Sequence, residues 1–153
     1  MIDKELAAVL DENRAALISS VTRLSDEQSR SRLVPSLTTP IALVKHCAAA
    51  ERVWFQRTVA GLALENCDGY ATGDARSWVV APHETLTDVL IEFEAAITLS
   101  RDIAYGPHST DKFVHYRRGE VTFYWICLHM IEELARHAGH ADILVEQILA
   151  GAK

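Results

Sequence analysis

The segment that decides the fold is HMIEELARHAGHADILVEQI, residues 129–148, which has the pattern of one long amphipathic helix. Its apolar residues recur at spacings typical of one helix face: Met130, Leu134, Ala141, Val145 and Ile148. His137 falls inside this stripe, and Glu133 lies at its edge one turn earlier. A charged Glu that faces a core costs free energy unless it is paired or bound to a metal. The segment therefore predicts a bundle helix that carries a candidate ligand pair.

Three further amphipathic stretches precede this helix. The first runs from about residue 3 to 24, and the third from about 82 to 103. The second begins at TTPIALVKH, where Thr39 is a suitable N-cap and Pro40 a suitable first helical residue, and it ends near Gly61. WVV and FVHY are too short to predict a sheet, and the final helix is predicted from about residue 121 to 149. The connections, of about 14, 22 and 16 residues, are long for an up-down bundle. We therefore predict one all-α domain over residues 1–153, a four-helix bundle with long crossover-type connections.

Composition narrows the class of protein. The 153 residues are 49% hydrophobic and carry a net charge of −6 without a run of Lys or Arg, which argues against nucleic acid and anionic membranes as partners. The start, MIDKELAAVLDENR, is charged, so we expect no signal peptide, and no apolar run is long enough to span a membrane. Cys47, Cys67 and Cys127 are an odd number without a CxxC pair, which is typical of a reduced, cytoplasmic protein.

Glu133 and His137 stand one helical turn apart and could bind one metal ion together. Imidazole nitrogen and carboxylate oxygen suit zinc, nickel, iron or manganese. His46, the only histidine on the second helix, is a candidate third ligand. The alternative is that these are packed or surface side chains, since an ExxxH pair also arises by chance. We expect Cys47 and Cys127 to be buried, and the histidines in or beside loops to be exposed: His83, His108 and His115.

Two segments, TPIALVKHCAAAERVWF (39–55) and HMIEELARHAGHADILVEQI, closely resemble the DinB-like (DinB/YfiT-like) superfamily of metal-dependent enzymes. RRGEVTFYWICLHMIEE (117–133) is similar to its actinobacterial branch. The resemblance implies a crossover four-helix bundle, often dimeric, whose metal ligands here would be His46, Glu133 and His137. Many members have His at both last-helix positions, whereas the mycothiol-dependent maleylpyruvate isomerase type has Glu first, as here. The carboxylate should favour harder ions somewhat. His140 stands where many relatives have Gln.

Three protein ligands leave open positions on the ion, which is the mark of a catalytic site. Because several relatives activate a small thiol, the resemblance implies a metal-dependent S-transferase or isomerase with mycothiol or a similar thiol as co-substrate. Zinc or nickel is the first expectation for the metal, and iron or manganese the second. His140 and His129 are the acid–base candidates. The alternatives are a non-catalytic, stress-linked binding or structural bundle and a metal-dependent hydrolase. Four aromatic residues could wall the pocket or pack in the core: Trp54, Phe55, Tyr124 and Trp125.

Overall fold

Three of the four long helices begin where the sequence supplies a capping side chain. Asp3 accepts a hydrogen bond from the backbone N–H of Glu5, Thr39 accepts one from that of Ala42, and Thr85 accepts one from that of Asp88. The computed structural model describes residues 1–108 and 110–151. Its helices are α1 (Lys4–Val21), the short α2 (Asp26–Ser29), α3 (Pro40–Glu51), α4 (Leu86–Tyr105) and α5 (Phe123–Gly151), and two strands lie before α5, β1 (Lys112–His115) and β2 (Gly119–Thr122).

Helix α3 continues without a break into a π-helix at Arg52–Val59, which the sequence pattern did not predict. The backbone N–H of Ala60 donates to the carbonyl of Phe55, five residues earlier. Such widened turns are frequent at functional sites. Here the π-helix carries Trp54 and Arg57 towards the β-hairpin.

The prediction of a crossover bundle is confirmed by the helix directions. The backbone N–H of Ile2 donates to the carbonyl of Ala104, so the start of α1 lies beside the end of α4. Helices α3 and α4 run in the same direction, because Lys45 pairs with Glu84 near their starts and Arg52 with Glu92 further along. Residues 60–85, between the π-helix and α4, form the crossover segment. This segment must therefore return along the bundle, and in doing so it covers part of α3.

The core lies between α1, α3, α4 and α5. Its largest fully buried apolar side chains are Leu10, Leu17, Ile41, Leu43, Phe55, Phe93, Ile126, Met130 and Leu134. A buried ion pair also crosses it: Arg14 Nε and Nη2 donate to the two carboxylate oxygens of Glu51 at 2.8 and 2.7 Å. Because both carboxylate oxygens of Glu51 accept hydrogen bonds, the ion pair offsets the cost of desolvating this charge. The paired hydrogen bonds also fix α1 against α3.

The prediction that FVHY is too short to form a sheet is wrong. Residues 112–115 pair antiparallel with residues 119–122, and Gly119 adopts φ +77°, which a glycine tolerates without strain. Tertiary packing supports this short hairpin, since Phe113 is buried in the core and His115 stacks on Trp54. Within the described ranges, no helix has the length and apolar character to cross a membrane.

Candidate metal centre

The structure brings the three predicted ligands together. His46 on α3 and His137 on α5 both direct Nε2 at the same oxygen of Glu133, Oε1, at distances of 2.9 and 3.2 Å. One ligand atom from each residue lies within 4.8 Å of the others. The side chains are 14, 18 and 7% exposed for His46, Glu133 and His137, so the group is sheltered but reachable. The arrangement could hold a metal ion.

A hydrogen-bond chain orients His46. Its Nδ1 lies 2.8 Å from Ser77 Oγ, and the Ser77 hydroxyl donates to the carbonyl of Asp74 at 2.7 Å. Because that hydroxyl proton is already committed, Ser77 accepts from Nδ1–H of His46. The chain therefore places the proton on Nδ1 and leaves a lone pair on Nε2, the form of imidazole that binds metals.

Trp78 completes the support for the two imidazole rings. Its ring stacks on His46 at a centroid distance of 4.0 Å and meets the edge of His137 at 5.4 Å. The sequence patterns did not identify Ser77 or Trp78. The only signal in the sequence was the unusual length of their loop. In the structure, Ala75–Trp78 form a one-turn helix that Asp74 caps.

The donor set fits a divalent cation. The lone pair of His46 Nε2 faces an acceptor, Glu133 Oε1, and such a contact is stable only with a cation between the two atoms, either a proton or a metal. The two imidazoles hold the pKa of Glu133 well below its usual range through hydrogen bonds, against the opposing effect of burial. His137 Nδ1 is buried without a hydrogen-bond partner in the described residues, so its polar contact runs through Nε2. Two imidazoles and an ionised carboxylate suit zinc, nickel, iron or manganese.

Neither predicted acid–base residue hydrogen-bonds to the triad within the described part of the chain. His129 is half-buried, stacked on Trp125 at 4.9 Å and edge-on to Trp54 at 4.6 Å. The pKa of His129 is lowered, mainly because burial disfavours the charged imidazolium. His140 is exposed, with its ring centroid 5.6 Å from that of His137. Both histidines lie beside the triad on α5, one on each side along the helix.

The cysteines do not take part in the site. Cys47 is fully buried, as predicted, and burial, with the charges of Glu133 and Glu51, raises its pKa well above the usual value. Cys127 is also buried, as predicted, and burial raises its pKa to about 11. Both thiols therefore stay protonated and unreactive near neutral pH.

Three predictions about individual side chains are wrong. His115 is only 6% exposed, because the hairpin folds it under the backbone N–H groups of Arg117 and Arg118, which both donate to its Nδ1 at 3.2 Å. Tyr124 is 62% exposed on the outside of α5, and so belongs neither to the core nor to the triad's surroundings. Phe55 packs in the core and His83 is exposed, as predicted. His108 is half-buried rather than exposed.

A crossover four-helix bundle with two imidazoles and a carboxylate between its second and last long helices is consistent with a DinB-like bundle whose residues could hold a metal ion. A model of the family described as Mycothiol-S-transferase matches residues 5–150, and the chain belongs to that family. Comparison with curated proteins found no match, and comparison with solved structures also found none.

Proposed function

We propose that this protein is a metal-dependent mycothiol S-transferase. The observation that carries the proposal is the convergence of His46, Glu133 and His137 in a chain of this family. These residues would hold one divalent ion, zinc or nickel in preference to iron or manganese. The presence of two imidazoles favours the borderline-soft ions that also bind thiolates.

A bound ion of this kind lowers the pKa of a coordinated thiol and so favours the thiolate near neutral pH. Ser77 and Trp78 keep His46 oriented towards the ligand site. His129 and His140 are the proposed acceptors of the thiol proton, and the burial that lowers the pKa of His129 keeps this imidazole neutral and able to accept it. In the transfer, the sulfur forms a bond to an electrophilic carbon, and the leaving group departs with the electron pair of the bond that breaks.

The metal is tested first, by mass spectrometry of metal content in untagged protein. We expect about one divalent ion per chain in the wild type, and its loss in His46→Ala and Glu133→Gln. Glu132→Gln is the matched control, because Glu132 lies next to Glu133 but has a side chain 62% exposed and paired with Arg136. Retention of metal in both ligand variants would refute the site.

The reaction is tested by mixing the metal-loaded protein with mycothiol and a fluorogenic alkyl halide. We expect conjugate formation above the uncatalysed rate, lost in Glu133→Gln and kept in Glu132→Gln. Hydrolysis of activated esters without any thiol would instead favour a metal-dependent hydrolase. Metal binding with neither activity would favour the non-catalytic binding bundle.

We also propose that the protein is a cytoplasmic homodimer of single-domain subunits. All three cysteines are free, which suits a reducing compartment. One hydrophobic cluster draws on residues from Ile2 to Leu144, which supports a single folding unit. Val9, Tyr124 and Leu128 are exposed apolar side chains on α1 and α5, a surface suited to a second copy. Light scattering after gel filtration should give a dimer mass that Leu128→Glu lowers to the monomer.

A further inference from the structure

Three arginines converge at the tip of the β-hairpin, away from the metal centre. Arg57 from the π-helix lies over the Tyr116 ring at 4.3 Å, and Arg117 lies near the same ring at 5.2 Å. Arg118 lies over the ring of Trp125 at 4.6 Å. We call Arg57, Tyr116, Arg117 and Arg118 the arginine platform.

The platform is held in place by neutral groups. Arg57 Nη1 donates to the carbonyl of Ala71 at 2.8 Å, and Arg117 Nη1 donates to that of Gly73 at 3.0 Å. The Tyr116 hydroxyl accepts from the backbone N–H of Gly73 at 3.1 Å, which fixes the hairpin to the crossover segment. The tip is therefore ordered before any ligand arrives, which lowers the entropic cost of binding.

The platform's positive charge is not neutralised by the protein. Among the described residues, no carboxylate oxygen lies within 4.0 Å of the guanidinium nitrogens of Arg57, Arg117 or Arg118. Burial is the largest effect that lowers the pKa of His115, and the positive charges of all three arginines lower this pKa further. The electrostatic potentials of the three arginines therefore add at His115. In a chain of net charge −6, this is a local positive region that can attract and hold an anion.

A row of aromatic rings leads from the platform to the metal centre. Arg118 covers Trp125, Trp125 stacks on His129, and His129 precedes Glu133 by one helical turn, about 6 Å along the axis. Guanidinium groups bind carboxylate and phosphate oxygens in pairs. An elongated molecule could therefore place an anionic group on the platform, and its other end beside Glu133.

We propose that the arginine platform binds the carboxylate or phosphate group of the acceptor electrophile, with an apolar body along Trp125 and the reactive carbon at the metal centre. This inference rests on the proposed S-transferase function. It specifies that function by naming the substrate class as anionic electrophiles.

The test compares two electrophiles with the same reactive carbon, 4-(bromomethyl)benzoate and its neutral methyl ester, in the metal-loaded full chain with mycothiol. After division by the uncatalysed rate, we expect a higher kcat/KM for the carboxylate. Arg117→Gln/Arg118→Gln should lower that value about tenfold and leave the ester within about twofold. The control Arg23→Gln/Arg101→Gln removes the same charge from exposed positions elsewhere. Equal loss for both electrophiles, no carboxylate preference in the wild type, or an equal effect of the control would overturn the proposal.

A binding experiment separates this inference from the proposed reaction. The unreactive probes p-toluate and p-tolyl phosphate are titrated into the protein by calorimetry, with neutral methyl p-toluate as reference. If no transfer is detected but either anion binds the wild type and not Arg117→Gln/Arg118→Gln, the platform stands without the reaction, and the tighter anion identifies the group. If neither anion binds more tightly than the reference, the platform is refuted even where transfer activity is present.

Discussion

Replacing Ser77 by Ala should weaken metal binding without unfolding the protein. Ser77 does not reach the ligand atoms; it accepts the Nδ1 proton of His46 at 2.8 Å and so fixes the ring's tautomer and direction. Loss of such a supporting hydrogen bond typically lowers metal affinity 10- to 100-fold. Trp78 still stacks on the ring at 4.0 Å, so we expect the smaller effect, about tenfold or about 1.4 kcal/mol.

The assay is competition for zinc against a fluorescent chelator at fixed pH, with far-UV circular dichroism to confirm the fold. Ser100→Ala is the matched control, because Ser100 is an equally buried serine on α4 whose hydroxyl has no hydrogen-bond partner in the described residues. It removes the same atom without touching the triad. An unchanged zinc affinity in Ser77→Ala, or an equal loss in Ser100→Ala, would refute the orienting role.

Three further predictions concern packing and burial outside the metal centre. Arg14→Met leaves Glu51 charged and buried, and should lower the free energy of unfolding by about 3–5 kcal/mol, or the melting temperature by about 6–20 °C. Gly69→Ala should cost about 1–3 kcal/mol in the free energy of unfolding, measured by chemical denaturation. Its Cβ would lie 2.5 Å from Cζ of Arg52, and that side chain is 2% exposed and held by Asp68, so it has little room to move. Cys127, with a pKa raised by burial to about 11, is about one part in a thousand thiolate near pH 8, so iodoacetamide should not label it in the folded protein by mass spectrometry.

Each of these has an outcome that would count against it. Arg14→Met combined with Glu51→Leu should recover most of the lost stability, since the unpaired charge is then gone; no recovery would contradict the ion-pair argument. Gly139→Ala, where an added Cβ meets nothing within 4 Å, is the control for Gly69→Ala. It should be neutral or mildly stabilising in a helix. Labelling of Cys127 as fast as that of a free thiol would show that it is accessible.

Two members of the candidate ligand set could be predicted because their signals are local. Glu133 and His137 are neighbours on one helix by their spacing alone, and the apolar period of α5 fixes which face they share. His46 required the resemblance as well, since periodicity does not say which helix packs opposite α5. The bundle itself followed from four amphipathic stretches, and their ends from capping residues such as Thr39.

The support around that ligand set could not be predicted in the same way. Ser77 lies 31 residues from His46 along the chain and reaches it only because the crossover segment folds back over α3. The hairpin is short and weakly patterned, and its stability depends on Phe113 and His115 packing against residues far away in sequence. The burial of His115 follows from that packing.

The sequence by itself determined the elements: helices with apolar faces, their caps, and a carboxylate and an imidazole one turn apart, because these depend on residues within a few positions of one another. Only the tertiary structure decided which atoms meet. It aimed both Nε2 atoms at one oxygen of Glu133, placed Ser77 and Trp78 on His46, and gathered three arginines at the hairpin tip. Those contacts join distant segments, and their geometry is set by packing the whole chain at once.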